Sequence, residues 1–122
     1  MAAFTIHGAR GTLPACGKDF VRYGGHTTCF SMDTGEALLV FDAGSGLSQL
    51  DAAGRQDAAV HTHLFFTHFH MDHVIGLPGF PPLYQPGYPV TIHADSRRPG
   101  DWRKDLCRFM SVPYWPIGLG EA

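Results

Sequence analysis

Thr67-His68-Phe69-His70-Met71-Asp72-His73 decides how this chain is read. It follows directly on an apolar run, Leu64-Phe65-Phe66, and sets four side chains able to ligate a metal within a six-residue span. His68 and His70 are two apart, so in an extended segment both rings lie on one side and can meet a single ion. Asp72 and His73 are adjacent, at a point where the chain must turn out of its strand. Neighbouring side chains then diverge, which suits a second ion close to the first. Two ions about 3.5–4 Å apart can share and deprotonate a water while polarising the bond under attack. Neutral imidazoles with a carboxylate suit zinc, and manganese or iron is also compatible.

The same chain supplies a counter-example. His61 and His63 also make an H-x-H pair, but Leu64-Phe65-Phe66 follows, with no carboxylate or third imidazole at a useful spacing. They are expected to line one face of a strand. His7 and His93, standing alone, are expected to be structural.

Outward from the motif, the pattern alternates strands with short helices. Ala3 to His7 predicts a strand, and Gly8 to Gly25, broken by Gly11, Pro14, Gly17 and Gly24, predicts a long loop. Thr27 to Met32 and Glu36 to Phe41 predict two strands around a turn at Asp33-Thr34-Gly35. A backbone turn is needed at Asp42-Ala43-Gly44-Ser45-Gly46, then a short helix over Leu47 to Ala53 with Gly54 as its stop. Val60 to Thr67 predicts the strand that carries the motif, with Phe69 to Val74 directly after it. Leu77 to Pro89 holds five prolines and predicts a semi-rigid loop with at most one helical turn. Pro89 to Ala94 predicts another strand. Asp101 to Met110, with Trp102, Leu106, Phe109 and Met110 spaced for one face, predicts a helix. The whole reads as an α/β layered fold.

Composition narrows the function classes. The 122 residues make about one domain, and 9 Lys+Arg against 11 Asp+Glu give a formal net charge of −2. That balance argues against a protein living on nonspecific contacts with nucleic acid, which needs a basic excess. The only basic pairs, Arg97-Arg98 and Arg103-Lys104, read as a solvated helix and its approach. The apolar runs are far too short for a membrane span, and the N-terminus lacks the pattern of a signal peptide. Cys16, Cys29 and Cys107 are odd in number and widely spaced, which speaks for free thiols in a reducing compartment. The expected location is the cytoplasm.

The motif and the Asp42-Ala43-Gly44 turn together resemble the metallo-β-lactamase-fold hydrolases. Further blocks extend the likeness: Gly8-Ala9-Arg10-Gly11-Thr12, Arg22-Tyr23-Gly24-Gly25-His26-Thr27-Thr28-Cys29, Phe41-Asp42-Ala43-Gly44-Ser45-Gly46-Leu47 and Ile75-Gly76-Leu77-Pro78. They are similar to the branch of ribonuclease Z and the cyclic-phosphate phosphodiesterases, and the similarity runs to about Pro113-Tyr114-Trp115-Pro116. His26 stands where that branch would carry asparagine. The resemblance implies an αββα sandwich, a mixed sheet with flanking helices, of which residues 1–122 would form the N-terminal half as one partial domain. It further implies that His68 and His70 bind a first metal and that Asp72 and His73 bind a second, both ions being zinc in the complete fold. Asp72 would also accept the proton of the attacking water, and Asp42 would orient the ligand loop.

The family's later ligands are a further histidine for each metal and a bridging aspartate, and they have no counterpart here. His93 or a partner chain could fill one position only by an unusual route. Half a sandwich leaves one sheet face uncovered and the Tyr114-Trp115-Pro116-Ile117 tail exposed, so the chain is expected to self-associate or to need its other half. Two functional readings follow. One is a metal-dependent hydrolase of phosphodiesters, taking an anionic, nucleotide-like small molecule as substrate. The other is a catalytically inactive metal-binding or interaction fragment.

Overall fold

The sheet grows outward from a hairpin. In a computed structural model that describes residues 2–52, 60–97 and 99–121, β2 (Cys29–Asp33) and β3 (Ala37–Phe41) pair antiparallel around the tight turn at Thr34 and Gly35. Gly35 sits at φ +85°, which a glycine adopts without steric cost. The Asp33 carboxylate accepts the Gly35 N–H at 2.9 Å, and the Thr34 hydroxyl accepts from Ala37 at 3.0 Å. These side-chain bonds close the turn.

β1 (Ala3–Gly8) adds antiparallel to β2 with a register shift between Ile6 and Gly8. On the other side β4 (His61–Phe66) and β5 (Val90–Ala94) add in parallel, giving a mixed sheet in the order β1-β2-β3-β4-β5. Parallel neighbours need crossovers. α1 (Leu47–Ala52) lies between β3 and β4; Ala53 and Gly54, the expected end of this helix, fall outside the described residues. Between β4 and β5 run α2 (Met71–Val74) and two 3-10 turns, Leu77–Gly79 and Pro81–Tyr84. The proline-rich stretch thus folds into two helical turns where at most one was expected. Each turn opens with proline in its first two positions, where the missing N–H costs nothing. β2 begins at Cys29, two residues later than expected, because Thr27 instead bridges Arg10 as an isolated parallel pair.

Period-two alternation sends one set of side chains into the core. Cys29, Leu38, Val40, Leu64 and Phe66 are buried under Leu47 and Leu50 of α1, Leu77, Phe80, Leu106 of α3 (Trp102–Phe109) and Met110 at its C-terminal cap. Asp101 caps α3 by accepting the Arg103 N–H at 3.1 Å. Trp115 also joins this core and donates its indole N–H to the Tyr84 hydroxyl at 2.9 Å. The tail is therefore exposed only in part: Tyr114 and Ile117 face solvent, while Trp115 has an apolar seat and a polar partner.

The opposite face of the sheet carries Phe4, Ile6, Phe30, Met32, Leu39, Phe41, His61, His63, Phe65, Thr91 and His93 by strand register. None of these is fully buried, and Phe4 and Ile6 are 57% and 62% exposed. This face is half-buried to exposed throughout, in contrast to the face closed by the helices.

Candidate metal centre

Every expected donor sits just beyond the C-terminal end of β4. The chain bends at Thr67 and leaves the strand, and His70, extended at φ −62° and ψ 151°, precedes the first turn of α2. The His68 and His70 rings lie 4.5 Å apart by centroid, and His68 lies 4.1 Å from His73. α2 turns Asp72 and His73 back toward His68, and His73 Nε2 is 3.5 Å from Asp72 Oδ2.

Asp42 organises this cluster from below. It is 3% exposed and stands at φ +58°, a left-handed conformation that aspartate tolerates better than most residues. Its Oδ1 accepts the Thr67 backbone N–H at 2.9 Å. Its Oδ2 accepts both the Thr67 hydroxyl at 2.7 Å and His73 Nδ1–H at 2.9 Å. Because the Thr67 hydroxyl proton is committed to Asp42, its oxygen can only accept from His68 Nδ1, 2.9 Å away. One carboxylate thereby assigns the tautomer of two histidines. His68 and His73 both carry the proton on Nδ1, leaving the Nε2 lone pairs free, which is the support that metal-ligating histidines characteristically receive.

The electrostatics favour a neutral His68 ring beside a charged Asp72 carboxylate. Burial, and then the neighbouring His73 and His70 rings, hold His68 below the ordinary histidine value. The Thr12 backbone N–H, donating to Asp72 Oδ2 at 3.1 Å, is the main cause that holds the Asp72 carboxyl below the ordinary carboxylate range. His73 Nε2 and Asp72 Oδ2 then present two lone pairs to one space, a juxtaposition that a cation relieves. Cys29 is no competing ligand, since burial and then Asp42 push its thiol up to about 12.

The backbone locks the strap to the Asp42-Ala43-Gly44 turn. Ala43 donates to the His73 carbonyl and Gly76 to the Ala43 carbonyl, both at 2.8 Å. A Cβ on Gly44 would collide with the Asp72 carbonyl, the Thr27 hydroxyl and the Thr28 carbonyl, so glycine is needed there for close approach.

The donors form pairs and not a closed shell: among the described residues, no group of three or more His, Cys, Asp or Glu side chains is arranged to hold one metal ion. His93 does not supply the missing donor, because its ring faces His63 across β4 and β5 with 3.0 Å between Nδ1 of His63 and Nε2 of His93. This corrects the expectation that the His61/His63 pair has no third imidazole in reach. His26 lies between Ser45 Oγ at 3.2 Å and Gln49 Nε2 at 3.1 Å. Arg10 is held in its loop, donating to the Leu13 carbonyl at 2.7 Å and lying over the Phe20 ring.

Two members of the cluster have weak or no sequence signatures. Thr67 is a hydroxyl beside the first histidine, a signal that could have been read. Thr12, 60 residues from Asp72, could not.

Comparison with known proteins agrees with this fold. Ribonuclease Z of Porphyromonas gingivalis is 30% identical over 80 residues, 66% of this chain and 25% of that protein. The crystal structure of the short form of human tRNase Z superposes with a TM-score of 0.63 at 22% identity, over 94% of this chain and 40% of the other. A metallo-beta-lactamase fold protein of Bacillus subtilis gives 0.60 at 19% identity, over 93% and 43%. This chain therefore spans about a quarter of the curated relative's length and under half of either solved structure. The sequence model of the metallo-beta-lactamase superfamily, a family that binds metal ions, matches residues 22–115, the stretch from the loop before β2 through the motif to the core tryptophan. That match takes in Asp42, the strap and the turn beneath it, and the chain belongs to the metallo-beta-lactamase superfamily.

Proposed function

We propose that this chain carries the metal-holding part of a hydrolase that cleaves phosphodiesters with metal-activated water. The observation that supports it most is the double tautomer assignment by Asp42, which leaves His68 Nε2 and His73 Nε2 free beside the Asp72 carboxylate. His68 and His70 would hold one zinc ion, and Asp72 and His73 a second. Bound metal supplies Lewis acidity and lowers the pKa of water. Asp72, whose Oδ2 is held by the Thr12 N–H, accepts the proton of the attacking water, and Thr12 keeps that carboxylate aimed inward. Asp42 keeps both imidazoles oriented. The substrate class follows from the ribonuclease Z relative, a nuclease by name, and an anionic nucleotide-like ester fits it. Free Cys16, Cys29 and Cys107 support a reducing, cytoplasmic setting, and no helix among the described residues is long and apolar enough to cross a membrane.

A second reading, an inactive metal-binding or interaction fragment, draws on one observation: no three donors close around one point among the described residues. One experiment separates the two. Zinc per chain is measured by elemental analysis beside a His68→Ala/His70→Ala control, together with turnover of a chromogenic phosphodiester by wild type and Asp72→Asn. Metal lost in the control, with turnover lost in Asp72→Asn, supports the hydrolase. Metal bound without any turnover supports the fragment reading, and equal metal in wild type and control refutes the strap as the site.

A further inference from the structure

With Asp72 in its proposed role as metal ligand and proton acceptor, on which this step rests, we propose that Arg10 is the positioning residue for that carboxylate: its guanidinium clamps a strained turn at Thr12 whose backbone N–H holds Asp72. Thr12 and Asp42 are the two non-glycine residues at positive φ among the described residues, and both bond side chains of the donor cluster. Thr12 stands at φ +74°, and the Leu13 N–H donates across it to the Gly11 carbonyl at 3.0 Å. These are features of the classic γ-turn, a rare and strained arrangement, and a β-branched residue at positive φ is a genuine outlier. Such a conformation persists only where its surroundings over-determine it, and such strain collects at functional sites. The Thr12 N–H donates to Asp72 Oδ2 at 3.1 Å.

Arg10 grips that turn from both ends. Its backbone N–H donates to the His26 carbonyl at 3.0 Å, and it bridges the fully buried Thr27. The Thr27 hydroxyl in turn accepts the Ser45 N–H at 2.8 Å, so the main chain of Arg10 is tied to the Asp42–Gly46 turn beneath the donors. Its side chain closes the other end. Nε–H donates to the Leu13 carbonyl at 2.7 Å, and the guanidinium lies 5.0 Å over the ring of Phe20, which ends the 3-10 turn Lys18–Phe20. A planar guanidinium can stack on a ring and donate in its own plane at once. Thr12 is thereby fixed on both sides. Released, it relaxes to negative φ and its N–H swings off Asp72, whose Oδ2 then loses its fixed direction 3.5 Å from His73 Nε2.

The test reads the hydrogen bond and the metal separately. In nitrogen-15 NMR spectra the Thr12 amide proton is expected downfield, where a carboxylate acceptor places it, and Asp72→Ala is expected to move it upfield. Arg10 is exposed, so Arg10→Ala is expected to move the same proton upfield with a urea midpoint within error of wild type. Zinc binding, by chelator competition, is expected to weaken about 10-fold, the lower end for a lost outer partner of a ligand. Arg10→Lys keeps a donor for the Leu13 carbonyl and is expected to recover part of both signals. Thr12→Gly in the Arg10→Ala chain is expected to restore both, because glycine holds positive φ without a clamp. An unmoved amide in Arg10→Ala, wild-type zinc affinity beside a moved amide, a fall in midpoint that accounts for the lost zinc, or no rescue by Thr12→Gly each overturns the proposal. A wild-type chain that binds no zinc refutes instead the metal role of Asp72, and the amide shift still decides the clamp.

Discussion

Asp42→Asn is the substitution that separates what the buried carboxylate does for the fold from what it does for the site. Asparagine keeps the shape and tolerates the left-handed backbone at φ +58°. With its oxygen on the Thr67 N–H, however, its NH2 faces the Thr67 hydroxyl and His73 Nδ1, both of which are donors in the native network. The clash is relieved only if Thr67 turns to accept and His73 moves its proton to Nε2. Thr67 can then donate to His68 Nδ1, moving that ring's proton to Nε2 as well. Both lone pairs leave the metal side together.

Three charge-assisted hydrogen bonds, about 1.5–3 kcal/mol each, become neutral ones of about 0.5–1.5. The buried charge that disappears returns part of this through its desolvation cost. The net destabilisation is about 1–2 kcal/mol, while zinc affinity falls about 10–100-fold, as for other lost partners of ligating histidines. Asp42→Ala should behave differently. It orphans three donors at about 1–3 kcal/mol apiece and puts alanine in a left-handed conformation for a further 1–2 or so, so it threatens the fold itself. Urea denaturation, chelator-competition zinc titration and nitrogen-15 NMR of the imidazoles measure the three quantities. Wild-type zinc affinity in Asp42→Asn, or rings still protonated on Nδ1, would refute the tautomer argument.

Three further outcomes are expected. Gly44→Ala should cost about 3 kcal/mol, the upper end for overpacking, because the new Cβ meets the Asp72 and Thr28 backbone carbonyls as well as the Thr27 hydroxyl; a urea midpoint within error of wild type would show that the turn and strap are not in close contact. His7, His63 and His68 all have depressed pKa values in the folded chain, so the unfolded chain takes up protons first and stability must fall as pH drops below 6.5. Depressed Asp72 adds its loss in the same direction at lower pH, below its ordinary 3.8; a Tm that rises on acidification from neutrality would contradict both. Finally, the apolar open face should drive concentration-dependent self-association in sedimentation runs. Phe65→Glu, placing a charge at its centre, should reduce this without lowering the Tm by more than about 1 kcal/mol's worth, and unchanged association would locate the contact elsewhere.

Much of this was legible because it is local. Period-two alternation marked β3 and β4, the Thr34-Gly35 turn marked the hairpin, and the spacing of His68, His70, Asp72 and His73 marked a cluster that the fold does bring together. Asp42 was marked by the family resemblance, and the turn it stands in holds its backbone at φ +58°. What escaped needed tertiary information. Nothing near His61 and His63 in sequence shows that β5 will bring His93 to within 3.0 Å, since parallel neighbours come from distant segments. Thr12 reaches Asp72 from a loop with no regular element. Trp115 sits in a tail rich in proline and apolar residues, and only the position of Tyr84 on the second 3-10 turn gives its N–H a partner.

The cluster at the end of β4 is held by contacts that use none of its donor nitrogens facing outward. Asp42 N–H bonds the Phe65 carbonyl at 2.8 Å, Ala43 N–H the His73 carbonyl and Gly76 N–H the Ala43 carbonyl. The strap, the turn and the strand are thus bound into one piece by backbone alone, with the imidazoles oriented by a buried carboxylate. Such a site differs from small domains whose metal supplies the folding energy outright. Its donors also arrive from one side, all within residues 68–73. Donors grouped on one side supply only part of an ion's coordination shell, in keeping with the pairs found among the described residues.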